Sequence, residues 1–349
     1  MASTYAADKA ARYRAQSREI AELCPKTVDE FRVARDGAIS AASMHSYIYD
    51  LYAFFQWWKL SNPDLKDREV SEITVDDISL ITSLDINEYF ADLREKPDGP
   101  KSPKRFARIF SALNSYFCFL TKYGRLQINP MDKVERAHIP KDKEIVRLKD
   151  DEPDRLITVI KRGYPNESAH ERALRAPYVD RDVAIISLLL TTGIRVSECA
   201  GLNKEDVNME QHSLRVTRKG GFRQLIAIGD QASEALAKYM KIRERTIGFD
   251  AEEDKALFLN RQRKRLTEPG IRRLVEKYAA ALGLDRKITP HKLRKTYGTN
   301  LYSETRDIYL VAEALGHSSV NTTTQHYVAT KEEDLQAVRD VTPLSKPEE

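Results

Sequence analysis

The segment TTGIRVSECAGL, residues 191–202, places an arginine and a carboxylate where they can act together. It follows the apolar run VAIISLLL and a turn at Gly193, so Arg195 and Glu198 open the next predicted helix. Side chains at i and i+3 are neighbours on one helical face. An arginine held by a carboxylate presents a fixed positive charge to an anion. Taken alone, however, the pair favours a structural salt bridge.

A second pair of this kind lies in TPHKLRKTYGTNL, residues 289–301. Thr289 or Pro290 begins a predicted helix, and His291 and Arg294 follow at i and i+3. Arginine offers bidentate hydrogen bonds, so such a face suits an oxyanion and above all a phosphate. The surrounding segment, from Arg261 to Arg306, holds thirteen Lys and Arg against four Asp and Glu. This charge fits contact with a polyanion or, equally, a solvated helix face.

Two further candidates lie in turns. The stretches SLRVT and RQLIAI alternate as strands do on either side of RKGGF, which predicts a β-hairpin with Lys219 near its tip. A lysine there has the reach to enter a neighbouring groove, although turn lysines are also common on surfaces. In LGHSSVNTTTQHYVAT, residues 315–330, His317 follows a glycine and Tyr327 lies ten residues further on. Tyr327 is either a nucleophile or an aromatic anchor of a surface turn.

Helices must position these residues. Apolar and aromatic side chains recur at helical spacing over residues 41–60, 85–95 and 103–123, which predicts a small bundle with an aromatic core. Residues 124–150 are polar, contain two prolines and predict a linker. Helices also dominate the second half of the chain, over residues of roughly 150–162, 180–190, 195–201, 230–245, 267–282, 291–302 and 307–315.

The composition narrows the class of protein. A chain of 349 residues is long enough for two domains of ordinary size. Its longest apolar run is far shorter than the roughly 20 residues that span a bilayer, and its N-terminus lacks a signal-peptide core, so we expect a cytoplasmic protein without a membrane partner. The three cysteines indicate neither disulfides nor a zinc site. Without a phosphate-binding glycine loop or a dense carboxylate group, we expect no cofactor and no metal.

Taken in order, the arginine of TGIRxSE, the hairpin lysine, HxLR, LGHSS and a following tyrosine resemble the catalytic domain of tyrosine recombinases, the phage-integrase and Xer-type group. The resemblance covers about residues 150–330, and the first half is similar to the helical core-binding domain of that family. It implies that DNA strands are cut and rejoined through a 3′-phosphotyrosyl intermediate, without metal or ATP. The implied catalytic residues are Arg195, Lys219, His291, Arg294, His317 and the nucleophile Tyr327, with Glu198 supporting the first arginine. Lys295 stands where many members have a second histidine, and His326 has no counterpart in the motif.

The resemblance also implies an architecture and partners. The fold class is mainly α, with a helical-bundle core-binding domain and a mostly helical catalytic domain that carries a small β-hairpin or sheet, together forming a C-shaped DNA clamp. The expected boundaries are an N-terminal extension at 1–40, a core-binding DNA-binding domain at 41–124, a linker at 125–149, the catalytic domain at 150–330 and a tail at 331–349. The tail contains the short amphipathic segment EEDLQAV, and we hypothesise that this segment docks on a neighbouring protomer.

The implied partners are double-stranded DNA with a specific recombination site, a homotetramer on two duplexes, and accessory DNA-bending or directionality proteins. The protein would then be associated with the nucleoid. Two alternatives remain open: a non-cutting DNA-binding regulator of the same fold, and a DNA-relaxing enzyme of type IB character. No role is predicted for residues 1–40.

Overall fold

A computed structural model describes residues 5–95, 102–136, 146–149, 151–165, 167–218 and 221–316 of the chain. The chain divides into two compact units, Met1–Asp142 and Lys143–Glu349. The described residues are mainly helical with one small sheet, which confirms the predicted mainly α fold class with a small β-sheet. In this part of the chain, no helix has the length and apolar character needed to cross a membrane.

The first unit is a bundle of helices. Its helices are α1 Tyr5–Ala21, α2 Lys26–Ala34, α3 Ala41–Ser61, α4 Val75–Ser79, α5 Ser83–Glu95 and α6 Pro103–Lys122. Helix α3 begins where the Ser40 hydroxyl accepts a hydrogen bond from the backbone N of Ser43. Helix α6 begins at Pro103, whose fixed φ suits the first helical position. The three helices predicted from aromatic periodicity correspond to α3, α5 and α6.

Aromatic rings fill the core of this bundle. The Phe54 ring meets those of Phe55, Tyr89 and Phe117 edge-on, at centroid distances of 5.5, 5.2 and 6.2 Å. Edge-to-face pairs of this kind add stability beyond the area that they bury. Burial also raises the pKa of Tyr89, so its phenol stays neutral in the core. These side chains therefore pack the bundle, as their spacing predicts.

The first forty residues contribute to the same core. Helix α1 packs along α3, and α2 packs against α3 and α6. Val28 and Phe31 of α2 are fully buried, and the Thr27 hydroxyl shares a buried hydrogen bond of 2.6 Å with the hydroxyl of Tyr116. The segment predicted as an extension is thus built into the first unit.

The predicted linker is also partly built into that unit. Leu126, Met131 and Val134 are buried in the core of the bundle, and a single 3-10 turn spans Pro130–Lys133. The carbonyl of Pro130 accepts a hydrogen bond from the Ser83 hydroxyl at 2.7 Å. The compact bundle therefore extends past residue 124, because apolar residues in this polar segment return to the core.

The second unit surrounds one buried helix. Its helices are α7 Glu152–Arg162, α8 Ala169–Arg175, α9 Val179–Thr192, α10 Val196–Gly201, α11 Asp230–Glu244, α12 Ala251–Lys255, α13 Glu268–Ala280, α14 Pro290–Thr305 and α15 Ile308–Leu315. Helix α9 packs against α7, α11 and α14, and nearly all of its middle residues are buried. A helix that is apolar on all sides is stable only inside a protein, which accounts for the run VAIISLLL.

A three-stranded antiparallel sheet interrupts these helices. Its strands are β1 Val207–Asn208, β2 Ser213–Thr217 and β3 Arg223–Ala227, in the order β1-β2-β3. The β2–β3 register runs from Ser213 opposite Ala227 to Thr217 opposite Arg223. The predicted hairpin therefore has the expected strands.

Candidate active site

Arg195 and Glu198 form the predicted pair at the start of α10. The Glu198 carboxylate accepts hydrogen bonds from the backbone N of Arg195 at 2.7 Å and from its Nη1 at 2.9 Å. The first contact satisfies a backbone donor that the helix leaves unpaired, and a negative charge is favourable at this end of a helix. The side chain of Glu198 is 4% exposed, whereas that of Arg195 is 35% exposed. The carboxylate is therefore structural, and the arginine reaches the surface.

Arg294 lies on α14 and is 3% exposed. Its Nη1 donates to the carbonyl of Gly193 at 2.5 Å, and its Nη2 donates to the carbonyl of Leu315. His291 is exposed in the first turn of α14, one turn before Arg294. The spacing predicted one shared helical face, but only the histidine is solvent-exposed.

Helix α15 ends at the point where these groups meet. Arg195 Nη2 donates to the carbonyl of Gly316 at 3.0 Å, and Arg218 Nη2 donates to that of Ala314 at 2.9 Å. Arg294 donates to the carbonyl between them. The last carbonyls of a helix lack partners within it and carry the negative end of the helix dipole. Three guanidiniums, here called the arginine cluster (Arg195, Arg218 and Arg294), therefore converge on one helix end.

Arg218 is the member of the cluster that was not predicted from the sequence. It follows β2, and its side chain is 5% exposed. Leu214, Val216 and Arg218 follow one another at a spacing of two residues, and all three are buried. This period of two is the signal that would have placed Arg218 on the inner face of the sheet. Burial lowers the pKa of Arg218, and the charge of Glu198 opposes that shift.

Two glycines allow the close packing around the cluster. Gly193 ends α9 at φ +60°, and a Cβ there would come within 2.3 Å of the Tyr297 ring. Gly316 ends α15 at φ +58°, and a Cβ there would come within 2.8 Å of Arg218 Nε. Both positions need the left-handed conformation and the space that only glycine provides.

The start of the second unit is attached to α14. The backbone N of Leu148 donates to the buried Thr296 hydroxyl at 3.0 Å. Arg286, before α14, donates to the carbonyl of Arg147 at 3.2 Å and pairs with Glu152. These contacts hold both ends of the segment that carries His291 and Arg294.

The remaining predicted residues, Lys219, His317, Tyr327 and the unassigned His326, lie outside the described residues. Within the described ranges, no group of three or more His, Cys, Asp and Glu side chains could hold a metal ion.

The described part of the site is instead a set of fixed positive charges, the three guanidiniums of the arginine cluster. Two of the five N–H groups of Arg195 are used in the contacts above, so the guanidinium has further donors for an anion.

Comparison with known proteins gives the family context. Residues 147–334 match the phage integrase family. The chain is 35% identical over 260 residues to the tyrosine recombinase XerC of Thermodesulfovibrio yellowstonii, covering 71% of this chain and 79% of that protein. It is 29% identical over 310 residues to the tyrosine recombinase XerS of Streptococcus uberis, covering 81% of this chain and 86% of the relative.

Solved structures share the fold. The XerH site-specific recombinase bound to difH substrate in a pre-cleavage complex aligns with a TM-score of 0.62 at 21% identity, over 90% of this chain and 83% of that one. A lambda integrase (75-356) dimer bound to a COC' core site aligns with a TM-score of 0.60 at 16% identity, over 88% of this chain and 96% of that one.

Proposed function

Since the chain belongs to the phage integrase family and is a tyrosine site-specific recombinase, we propose that it cuts and rejoins DNA through a 3′-phosphotyrosyl intermediate with Tyr327 as the nucleophile. One observation carries this proposal. Arg195 and Arg294 come from separate helices and converge on the carboxyl end of α15. The sequence then continues from Gly316, the second residue of LGHSS, through His317 to Tyr327.

The arginines suit the charge that develops in the reaction. Attack on a phosphodiester gathers negative charge on the two non-bridging oxygens. Guanidiniums held in place stabilise that charge without having to reorganise during the step. Arg195 keeps a third of its side chain exposed at this position, and Arg294 supports the same helix end from within. In the proposed mechanism Arg195 binds the scissile phosphate directly, and Arg294 contributes its positive charge from within the protein.

The proton transfers fall to the remaining residues. Tyr327 Oη attacks phosphorus, the bond from phosphorus to the 5′ oxygen breaks, and a tyrosyl ester of the 3′ phosphate forms. A phenol has a pKa of about 10, so only about one in a thousand is ionised at neutral pH and its proton must be removed during attack. His291 accepts that proton, and His317 donates a hydrogen bond to the phosphate. Lys219 protonates the departing 5′ oxygen. A 5′-hydroxyl reverses these steps and rejoins the strand.

The substrate is double-stranded DNA that contains a specific recombination site. Exposed basic residues between Arg261 and Arg306, such as Arg261, Arg272 and Lys287, supply a positive surface for its backbone. We extend the proposal to the assembly that the family resemblance implies: four protomers on two duplexes, with accessory DNA-bending or directionality proteins. In each protomer, the first unit acts as the core-binding domain and the second as the catalytic domain.

Trapping the covalent intermediate tests the proposal. A duplex is selected from a random-sequence library by its binding to the full chain, and one strand is nicked at successive positions so that the cut fragment diffuses away. We expect an SDS-resistant protein–DNA adduct with the wild-type chain and none with Tyr327→Phe, while DNA affinity is unchanged. The matched control is Tyr297→Phe, which removes a phenol near the arginine cluster and should leave the adduct intact.

The results separate the alternatives. An adduct with Tyr327→Phe would show that another residue is the nucleophile. Binding without any adduct from the wild-type chain would indicate the non-cutting regulator. Relaxation of supercoiled DNA without strand exchange between two duplexes would indicate the DNA-relaxing enzyme.

A further inference from the structure

Arg218 makes three contacts that join three elements of the second unit. Its Nη1 donates to Glu198 Oε2 at 2.9 Å, on α10. Its Nε donates to Gln224 Oε1 at 2.8 Å, on β3. Its Nη2 donates to the carbonyl of Ala314 at 2.9 Å, on α15. Every nitrogen of the guanidinium is thus bonded within the protein, and its planar fork directs these donors to three separate partners.

Glu198 is shared by two members of the arginine cluster. Its Oε1 accepts from Arg195, and its Oε2 accepts from Arg218 and from the backbone N of Arg195. The formal charges of these side chains show how Arg218 affects Arg195. Arg195 and Glu198 alone sum to zero, whereas the two arginines with Glu198 sum to +1. In a buried setting, where charges interact strongly, the second arginine offsets the carboxylate and leaves Arg195 a net attraction for an anion.

We propose that Arg218 is a positioning residue for strand cleavage: it holds Glu198 and the end of α15 so that Arg195 is fixed and cationic at the phosphate. This inference rests on the proposed function above. Arg218 does not itself touch DNA, because its side chain is 5% exposed and all three of its nitrogens have partners. Its effect therefore passes through Glu198 and Arg195.

The contact with Gly316 supports this role. A side chain at that position would collide with Arg218 Nε at 2.8 Å and with Cζ at 3.0 Å. The backbone at Gly316, from which the chain continues toward Tyr327, thus lies directly against the Arg218 guanidinium. Gln224 strengthens the same link, since its Nε2 lies 3.5 Å from the carbonyl of Glu313.

The test compares two substrates that differ in charge. The selected duplex carries either the normal phosphodiester or a methylphosphonate at the scissile position, which replaces one non-bridging oxygen with a methyl group and removes its charge. Single-turnover formation of the covalent adduct is measured for Arg218→Gln, which removes the charge, and for Arg218→Lys, which keeps it. Arg215→Gln is the matched control, because Arg215 is an exposed arginine on β2, the strand that leads to Arg218. DNA affinity and the melting temperature are recorded for each variant.

We expect Arg218→Gln to slow adduct formation on the phosphodiester by on the order of 100-fold, with unchanged DNA affinity. On the methylphosphonate the loss should fall to about 10-fold or less, because less negative charge needs to be offset. Arg218→Lys should lose less than Arg218→Gln on the phosphodiester, and Arg215→Gln should match the wild-type chain on both substrates.

Equal losses on the two substrates would overturn the proposal, since a merely structural defect does not depend on the charge of the phosphate. A wild-type rate for Arg218→Gln would overturn it as well. If Arg218→Gln does not fold, Gln224→Leu removes one contact of Arg218 and keeps its charge; a slower rate with an unchanged melting temperature is expected, and an unchanged rate contradicts the role. A failure of the proposed function can be distinguished from a failure of the role of Arg218, because in the first case the wild-type chain itself would form no adduct.

Discussion

Arg195 and Arg294 bind consecutive carbonyl groups at the end of α15. Arg195 donates to the carbonyl of Gly316 at 3.0 Å, and Arg294 donates to that of the preceding Leu315. The two guanidiniums differ in burial, since the side chain of Arg195 is 35% exposed and Arg294 is 3% exposed. The same change at the two positions should therefore have different effects on stability.

Arg195→Ala and Arg294→Ala should each slow adduct formation by about 100- to 1,000-fold, because each removes a fixed positive charge that stabilises the developing negative charge. DNA affinity should fall only slightly, since one phosphate contact is a minor share of a large electrostatic surface. Arg294→Ala should also lower the free energy of unfolding by about 2 to 4 kcal/mol, because it leaves two carbonyls without a donor. Urea unfolding measures this difference, and equal stability of the two variants would contradict the assigned contacts.

Gly193→Ala should reduce both stability and cleavage. The substitution forces a side chain into the left-handed region and brings its Cβ within 2.3 Å of the Tyr297 ring. It also displaces the carbonyl that receives Arg294. Gly283→Ala is the control, because Gly283 has φ +68° with no atom within 4 Å of the added Cβ. We expect a loss of about 1 kcal/mol for the control and a clearly larger loss at Gly193, measured by thermal unfolding. Comparable losses at the two sites would refute the predicted clash.

Glu167→Gln should destabilise the second unit in a way that depends on pH. Arg175 donates to Glu167 Oε2 at 3.0 Å, and both side chains are buried. Hydrogen bonds from Arg175 hold the pKa of Glu167 below its ordinary value. The stabilisation is therefore present above that ordinary value, about 4.5, and is lost as the pH falls toward the lowered pKa. At pH 7 we expect Glu167→Gln to lower the free energy of unfolding, measured with urea, by about 3 kcal/mol relative to the wild-type chain. At pH 4 the difference between the two proteins should be smaller.

The control for this change is Glu234→Gln, at an exposed pair with Lys238. Exposed pairs contribute little to stability, so the control should unfold like the wild-type chain at both pH values. If the difference in the free energy of unfolding between the wild-type chain and Glu167→Gln grows at acidic pH, the lowered pKa of Glu167 is not its cause.

Removal of residues 331–349 should separate cleavage from recombination. This tail, which lies outside the described residues, contains the short amphipathic segment EEDLQAV that we predict to dock on a neighbouring protomer. The truncated chain should still form the covalent adduct on a single duplex but should not assemble two duplexes or exchange their strands. Gel-shift analysis of two-duplex complexes and a recombination assay check this, and normal recombination by the truncated chain would exclude docking by the tail.

Much of the helical fold could be read from the sequence. The predicted helices at 41–60, 103–123 and 180–190 correspond to α3, α6 and α9, because each presents a long periodic or continuous apolar run. The shorter α4, α8 and α12 were missed. Each has five to seven residues, too few for a periodic signal, and local capping helps to define them, as where Asp250 accepts from the backbone N of Glu253.

The candidate site was predictable where partners are close in sequence. Arg195 and Glu198 are three residues apart, so their pairing followed from helical geometry. Arg218 joins residues that are 20 and 96 positions away, and no local pattern encodes such contacts. The burial of Arg294 was not predicted for the same reason, since its carbonyl partners are Gly193, just after α9, and Leu315, the last residue of α15.

The carboxyl end of α15 also limits where a chimaera of this enzyme and a related recombinase can be joined. Three side chains from different elements contact the carbonyls of three successive residues, and one inserted residue would rotate those carbonyls by about 100° around the helix axis. A chimaera that takes its tyrosine segment from another recombinase therefore has a natural junction after Gly316. A junction placed within residues 308–316 must keep the residue count unchanged.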